Sequence, residues 1–273
     1  MEITETLTPK PSTPKHARFA FYLALLLPVY FAVAALGTKI GLWSWQTGLL
    51  SLTFGAGMFL LGIVAVLCLL SLLIIAFRKP RKGWIWPVLG LLIPAGFALF
   101  AIIARSNAGG HPIHDVATDT GNPPIFSAQT MQTREEAGAN PVSDYQVPLS
   151  KISSFEGIEE PLAAHNHAQI ITDFYADLAP LPLGGASKAD AVSAVAAAMG
   201  DIGMSNIRSD NDAGTVEGVA ETFWYGFKDD VVARVGEAQI DFRSVSRVGR
   251  SDLGANSARI KALREATAKR LGQ

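Results

Sequence analysis

Three uncharged apolar runs near the N-terminus constrain this chain more than any other feature. They are Phe19–Leu36, Leu49–Phe77 and Trp84–Ala104, and none contains Asp, Glu, Lys, Arg or His. A bilayer core about 30 Å thick takes about 20 apolar residues rising 1.5 Å each, so each run is long enough to cross as a helix. The second exceeds the requirement, so it tilts or begins inside its own N-terminal end. Pro28, Pro87 and Pro94 are tolerated in spans where a soluble helix would break. Trp43 and Trp45 flank one boundary and Trp84 and Trp86 the opposite one, the depth at which amphipathic rings settle.

Basic residues give the orientation. Lys10, Lys15 and Arg18 precede the first run, and Arg78, Lys79, Arg81 and Lys82 fill the second connection, whereas the first connection holds only Lys39. The positive-inside rule then predicts a cytoplasmic tail and delivers everything after Arg105 to the other side. The expected location is a cell inner membrane, multi-pass, with the soluble part periplasmic. Ala32-Val33-Ala34 resembles a signal-peptidase site, but the first run exceeds the ~7–15 residues of a signal-peptide core, and cleavage would leave the C-terminal side unchanged. Transporters place ionisable groups at mid-membrane; the spans lack them and read as an anchor. Gly55, Gly57 and Gly62 are candidates for close helix approach.

The resulting organisation is a cytoplasmic tail over 1–18, whose first fifteen residues read as disordered, three transmembrane helices over 19–104, a tether and extended arm over 105–126, and a soluble α+β domain over 127–273. The net charge of -1 gives no reason to expect nucleic acid. Cys68 is the single cysteine and lies in the second run, so the soluble part has neither disulfide nor thiolate metal site. His114, Asp115 and Asp119 stand in the proline-rich arm, where such residues are usually solvated or capping. His165 and His167 lack a neighbouring carboxylate and read as surface residues. No metal and no cofactor is expected.

In the soluble part, 129–149 is polar and turn-rich, and Ile170–Leu178 resumes an apolar pattern. Ser187 begins a helix as its cap, with Asp190 three residues on, and Ala191, Val195, Ala198 and Met199 form its inner stripe before Gly200 ends it. Strands are expected over Thr215–Thr222, Asp230–Val235 and Gln239–Ser246. Their connections are too short for parallel crossovers, so the sheet is antiparallel. A last helix, capped by Asn256 or Ser257, runs to Leu271. The fold class is membrane-anchored α+β, three transmembrane helices followed by a soluble domain with helices against one face of an antiparallel sheet.

The chemistry concentrates in FRSVSRVGRSDLGANSAR, Phe242–Arg259. Arg243 and Arg247 share a strand face, Arg250 follows Gly249, and Asp229 and Asp230 stand on the preceding strand. The density predicts that Arg243, Arg247, Arg250, Asp252 and Asn256 converge with Asp229 or Asp230 on one side of the sheet. Three readings stay open. The first is a structural network of Arg–Asp forks locking a loop to the sheet. The second is an anion site, with arginines matched to phosphate or carboxylate near the start of the last helix. The third is acid–base chemistry at Asp229, Asp230 or Asp252, although no nucleophile elbow, P-loop or metal-ligand spacing accompanies them.

RSVSRVGRSDLGANSARI, from Arg243 to Ile260, resembles the signature of the domain-of-unknown-function 1499 family. FWYGFKDDVVARV (Phe223–Val235), HDVATDTGNPPIF (His114–Phe126) and DFYADLAPLPL (Asp173–Leu183) are similar to its other blocks. The resemblance implies a bacterial or plastid protein, often membrane-attached, and carries over no activity and no catalytic residue. Two functions follow as expectations. One is a binding or scaffold module in the cell envelope, with the lipid bilayer and another envelope protein or an anionic ligand as partners. The other is an envelope enzyme acting on an anionic lipid or glycan.

Overall fold

The computed structural model describes residues 13–79, 81–110 and 112–273. The disordered-tail reading therefore lies, up to residue 12, outside the described residues. The chain divides into two units, one of the helical part up to Ile103 together with Trp224–Gly226, the other of Ala104–Phe223 and Phe227–Gln273.

The first unit has three helices long and apolar enough to cross a membrane. α1 is Lys15–Lys39; α2, Met58–Phe77, continues from a π-helical stretch, Gln46–Gly57; α3 is Ile85–Gly110. Small residues let the helices approach. Ala20, Ala24 and Leu27 of α1 pack on Leu61, Val64 and Cys68 of α2. A Cβ on Gly90 would lie 2.8 Å from the Cys68 sulfur, and one on Gly57 2.5 Å from the Phe31 ring, whereas Gly62 meets nothing within 4 Å. Of the three glycines expected to mediate contact, Gly57 does so across helices and Gly62 does not. The tether expected from Ser106 continues α3 to Gly110. Its glycines occupy the last two positions, where the entropic penalty of glycine in a helix interior no longer applies in full.

The second unit is built on one antiparallel sheet. Its strands are β1 (Asp115–Ala117), β2 (Leu181–Pro182), β3 (Ser205–Asp210), β4 (Thr215–Glu221), β5 (Lys228–Val235) and β6 (Gln239–Ser246). Their order is β1-β6-β5-β4-β3, and β2 covers the other half of the β6 edge, pairing Leu181 with Ile240. Four helices accompany it: α4 (Ala128–Glu136), α5 (His167–Phe174), α6 (Lys188–Asp201) and α7 (Ala255–Arg270). The β3–β4 turn needs a glycine, since Gly214 has φ +73° and a Cβ there would sit 2.8 Å from the Val235 carbonyl oxygen.

Strand alternation separates two different faces. Val216, Val231, Ala233, Val235, Ile240 and Phe242 point to α6 and α7, where Ala191, Val195, Ala198, Met199, Ile260 and Leu263 close the main core. The Ser187 hydroxyl accepts from the Asp190 N–H at 3.1 Å and donates to its carboxylate at 2.7 Å, the cap expected from sequence. α7 starts differently from expectation. Gly254, left-handed at φ 87°, precedes it, and Asp252 is the side chain that satisfies its first N–H groups, accepting from Gly254 and Asn256 at 2.8 Å each. Asn256 and Ser257 lie inside the helix and are buried. The opposite sheet face carries Glu217, Asp230, Val232, Arg234, Asp241, Arg243 and Val245, and it too is covered. Phe126 and Val142 pack on Val232 and Val245, so the domain has a third layer that the sequence reading did not include.

Because the core forms wholly from Ile113 and residues after it, a fragment spanning 111–273 is expected to fold by itself, with a cooperative melt by circular dichroism. In that fragment Phe242→Ala, which empties the centre of the core, should cost about 3–5 kcal/mol in chemical denaturation. A non-cooperative melt of the fragment would make the helical unit part of the fold.

Candidate functional site

Asp115 and Arg243 form the centre of the charged face. Phe242 and Ser244 turn toward the helices, so Arg243 between them turns away. β1 pairs with β6 in the register Asp115↔Val245 and Ala117↔Arg243, which sets the carboxylate diagonal to the guanidinium on the same face. The fork closes through Arg243 Nε to Asp115 Oδ1 at 2.9 Å and a terminal nitrogen to Oδ2 at 2.7 Å. Tyr145 donates its hydroxyl to Oδ1 at 2.6 Å and the Ser143 N–H binds Oδ2 at 2.9 Å. Arg243 also donates to the carbonyls of Pro124 and Ser143, and its guanidinium lies 4.9 Å from the centre of the Tyr145 ring. Burial alone would raise the Asp115 pKa; the charge and hydrogen bonds of Arg243 outweigh it and hold the carboxyl below its ordinary value. Burial, followed by the Asp115 charge, pushes the Tyr145 phenol well above its own, so it remains a donor.

The same face holds three more knots. Asp230 takes a fork from Arg247, Nε at 2.9 Å and a terminal nitrogen at 2.7 Å, and a further bond from Arg134 of α4. Glu217 accepts from the backbone and hydroxyl of Ser127, from the Thr130 hydroxyl and from Arg208. Arg234 bridges Asp241 and Asp119 at 2.9 and 3.1 Å. Each knot joins the sheet to the segment between Asp119 and Ser143. That segment is polar, and charged bonds hold it where apolar contacts are few.

The seven residues expected to converge are divided between the two faces. Arg243, Arg247 and Asp230 lie on the charged face. Asp229 points to the helical side, where Arg259 pairs with it. Asn256 is there as well, fully buried, accepting from Ser244 and Arg259 at 2.6 Å and donating to the His114 carbonyl at 2.8 Å and to Ser246 at 3.0 Å. Asp252 caps α7. Arg250 is exposed and donates to the Glu156 carbonyl. Of Arg243, Arg247 and Arg250, Asp230 meets only Arg247; Arg243 turns instead to Asp115, and sequence reasoning missed Asp115, Arg134, Tyr145 and Glu217 as partners. Arg134 is 96 residues from Asp230 in a stretch without hydrophobic periodicity, so no local signal marks it.

Beside the fork lies a box of aromatic rings. His114 stacks on Phe155 at 5.4 Å, His167 stacks on Tyr145 at 5.4 Å, and the two imidazoles meet edge-on at 6.4 Å. Both histidines are fully buried, which overturns the surface reading of His167: it opens α5 on the side facing β1 and joins the aromatic contacts there. Among the described residues neither imidazole has a hydrogen-bond partner at either nitrogen. The rings serve as apolar plates. Burial lowers the pKa of both, and brings that of His167 to about 4 despite the nearby Asp115. Among the described residues no group of three or more His, Cys, Asp or Glu could hold a metal ion.

Two open recesses flank this region. One, of about 290 Å³, follows 150–158; the other, of about 470 Å³, runs along α4 and 139–142. Arg243, Arg247, Asp229 and Asp230 line neither. A proton-transfer group must reach its substrate within hydrogen-bond distance, and Asp115, Asp229 and Asp230 are buried and occupied by guanidinium groups. The arrangement defines a class: an α+β domain following membrane-length helices, with one sheet face closed by apolar packing and the other by ion pairs. The chain belongs to the family described as proteins of unknown function, DUF1499, whose model matches residues 115–267. No curated protein and no solved structure matches it.

The pairing orders the arginines by their effect on stability. Arg243→Ala leaves a buried carboxylate without its cation and should cost about 3–5 kcal/mol. Arg247→Ala should cost less, because Arg134 still neutralises Asp230. Arg250→Ala, at an exposed site, should stay within about 0.5 kcal/mol. Thermal melting of the three variants checks the order. The histidine box adds a pH dependence. The folded pKa of His167 is depressed from 6.5 to about 4, so the unfolded chain binds a proton that the folded chain refuses. Its stabilising contribution is complete above the unfolded value and is lost as pH falls from about 6.5 to about 4, by about 3 kcal/mol at most. His114 acts in the same direction. The melting temperature should fall through this window, and His167→Gln should flatten the fall.

Proposed function

We propose that this protein is a membrane-anchored binding or scaffold module of a bacterial cell envelope. In this reading three helices hold the α+β domain on the extracytoplasmic side of the inner membrane. Its partners are the bilayer and another envelope protein. The observation that carries the reading is the internal pairing of the motif. Arg243, Arg247 and Arg259 are engaged by Asp115, Asp230 and Asp229, so the densest polar stretch in the chain is used to fasten the domain to itself. A rigid domain fastened in this way suits display of a surface better than turnover of a substrate. The envelope-enzyme alternative would need one of these carboxylates to face a cleft, and each instead faces a guanidinium. The anion-site alternative would need guanidinium groups aimed outward, and of the motif's arginines only Arg250 is exposed.

Sidedness rests on the basic residues. Arg78, Lys79, Arg81 and Lys82 between the second and third helices, against Lys39 alone between the first and second, favour a cytoplasmic second connection. Alkaline phosphatase fused after Gly110 should be active and a fluorophore that matures only in the cytoplasm should be dark; the reverse pattern would place the domain in the cytoplasm. Inorganic phosphate should leave the melting temperature of the wild type and of Arg247→Ala unchanged. A phosphate-dependent rise in the wild type that Arg247→Ala abolishes would return the motif to a ligand-binding role.

A further inference from the structure

Most basic residues of the helical unit come together at one end of it, and the unit supplies nothing to match their charge. α1 begins at Lys15, α2 ends at Phe77 and α3 begins at Ile85. His16 Nδ1 meets the Ser71 hydroxyl at 2.7 Å, so the start of α1 lies against the last turns of α2. A Cβ on Gly83 would lie 2.7 Å from Thr13 Cγ2 and 2.9 Å from Pro14 Cδ; the missing side chain lets the entry to α1 rest on the connection between α2 and α3. The Arg18 guanidinium stands 5.9 Å from the centre of the Trp86 ring, which Phe21 meets edge-on at 5.2 Å. Arg81 Nε donates to the Ala76 carbonyl at 3.0 Å, one of the last carbonyls of α2, which a helix leaves without an internal partner. Lys15, Arg18, Arg78, Lys79, Arg81 and Lys82 are thus gathered at one end, all exposed. Residues 6–114 contain no Asp or Glu, so the described residues of this unit hold no carboxylate to pair with them. Toward the opposite ends of α1 and α3 the basic residues are Lys39 and Arg105.

Basic segments beside a membrane helix attract anionic lipid, and the attraction fades within a Debye length, about 8 Å at physiological salt. A lipid phosphate comes within that range because acyl chains lying along the helices carry it to the height of Trp84 and Trp86, the depth at which such rings settle. Those chains give the headgroup a high effective concentration there, which free inorganic phosphate lacks. Arginine adds a forked set of donors matched to phosphate oxygens. Two of the arginines are already held, Arg18 over Trp86 and Arg81 on Ala76, so less side-chain freedom is lost when they bind.

We infer that this end of the helical unit binds the phosphate of an anionic phospholipid, with Arg18 and Arg81 as its fixed donors and the neighbouring basic side chains as the surrounding field. The inference rests on the membrane-anchored part of the proposed function, and neither on sidedness nor on the scaffold role. It is tested on the full chain reconstituted in phosphatidylcholine bilayers, by electron spin resonance of spin-labelled phosphatidylglycerol and phosphatidylcholine. The protein should restrict phosphatidylglycerol with a several-fold preference. Arg18→Gln with Arg81→Gln should bring the preference close to unity, and Arg18→Lys with Arg81→Lys should keep part of it. Lys39→Gln with Arg105→Gln, which removes the same charge at the other end, should leave it unchanged. Equal restriction of both lipids by the wild type would overturn the inference, as would a preference that survives the Arg18 and Arg81 glutamine pair. A loss just as large in the Lys39 and Arg105 pair would reduce the effect to net charge and overturn it as well. Displacement of the lipid by polyglutamate at physiological salt would make the site one for an acidic protein instead. A chain that does not enter the bilayer would overturn the anchored reading together with this one.

Discussion

The fork between Asp115 and Arg243 is the interaction on which the α+β domain depends. A buried ion pair contributes little net stability against a hydrophobic pair of the same shape, because two desolvation penalties oppose the attraction. What this pair can supply is position. β1 has three residues, too few for hydrophobic pattern to define its register on β6. A slip of one residue would turn Asp115 to the helical face and bury Arg243 unpaired. Only the observed register lets Tyr145, the Ser143 amide and Arg243 all reach the one carboxylate. The fork thus fixes β1 on β6 and, through Ser143 and Pro124, fixes the covering segment on both.

The other knots follow the same logic at lower burial. A sheet face that alternates Asp, Arg and Glu with valine would ordinarily face water. Here it is roofed by a segment that is itself polar, and apolar contact is confined to Phe126 and Val142 on Val232 and Val245. Burying such a face is tolerable because nearly every charge meets a partner of opposite sign with directed hydrogen bonds. The histidine box is the exception. His114 and His167 are buried with their nitrogens unpartnered, acceptable for neutral imidazoles stacked on rings and unfavourable once protonated. The electrostatics near β1 therefore combine a carboxylate kept charged by its cation with imidazoles kept neutral by burial.

Much of this was legible in the sequence where the signal is local. Apolar runs without charge gave the three membrane-length helices; Ser187 and Asp190 gave the start of α6; alternation from Gln239 to Ser246 gave β6 and the opposite orientations of Phe242 and Arg243. The antiparallel order followed from short connections. The third layer was not legible, since α4 has no apolar stripe and is held by Arg134 and by Glu217, whose partners lie far away in sequence. Nor was the division of the motif between two faces: Asp229 and Asp230 are adjacent in sequence and therefore opposite in the sheet, a consequence of strand alternation that residue density conceals. His167 was misplaced because a histidine without a neighbouring carboxylate gives no indication that it will be used as an apolar plate.

That division changes what the motif means. In β6 and the turn after it, Phe242 fills the core, Arg243 holds β1, Ser244 and Ser246 hold Asn256, Arg247 holds Asp230, and Asp252 starts α7. Each of these residues has a partner within the domain, whereas Arg250 is exposed and donates to the Glu156 carbonyl.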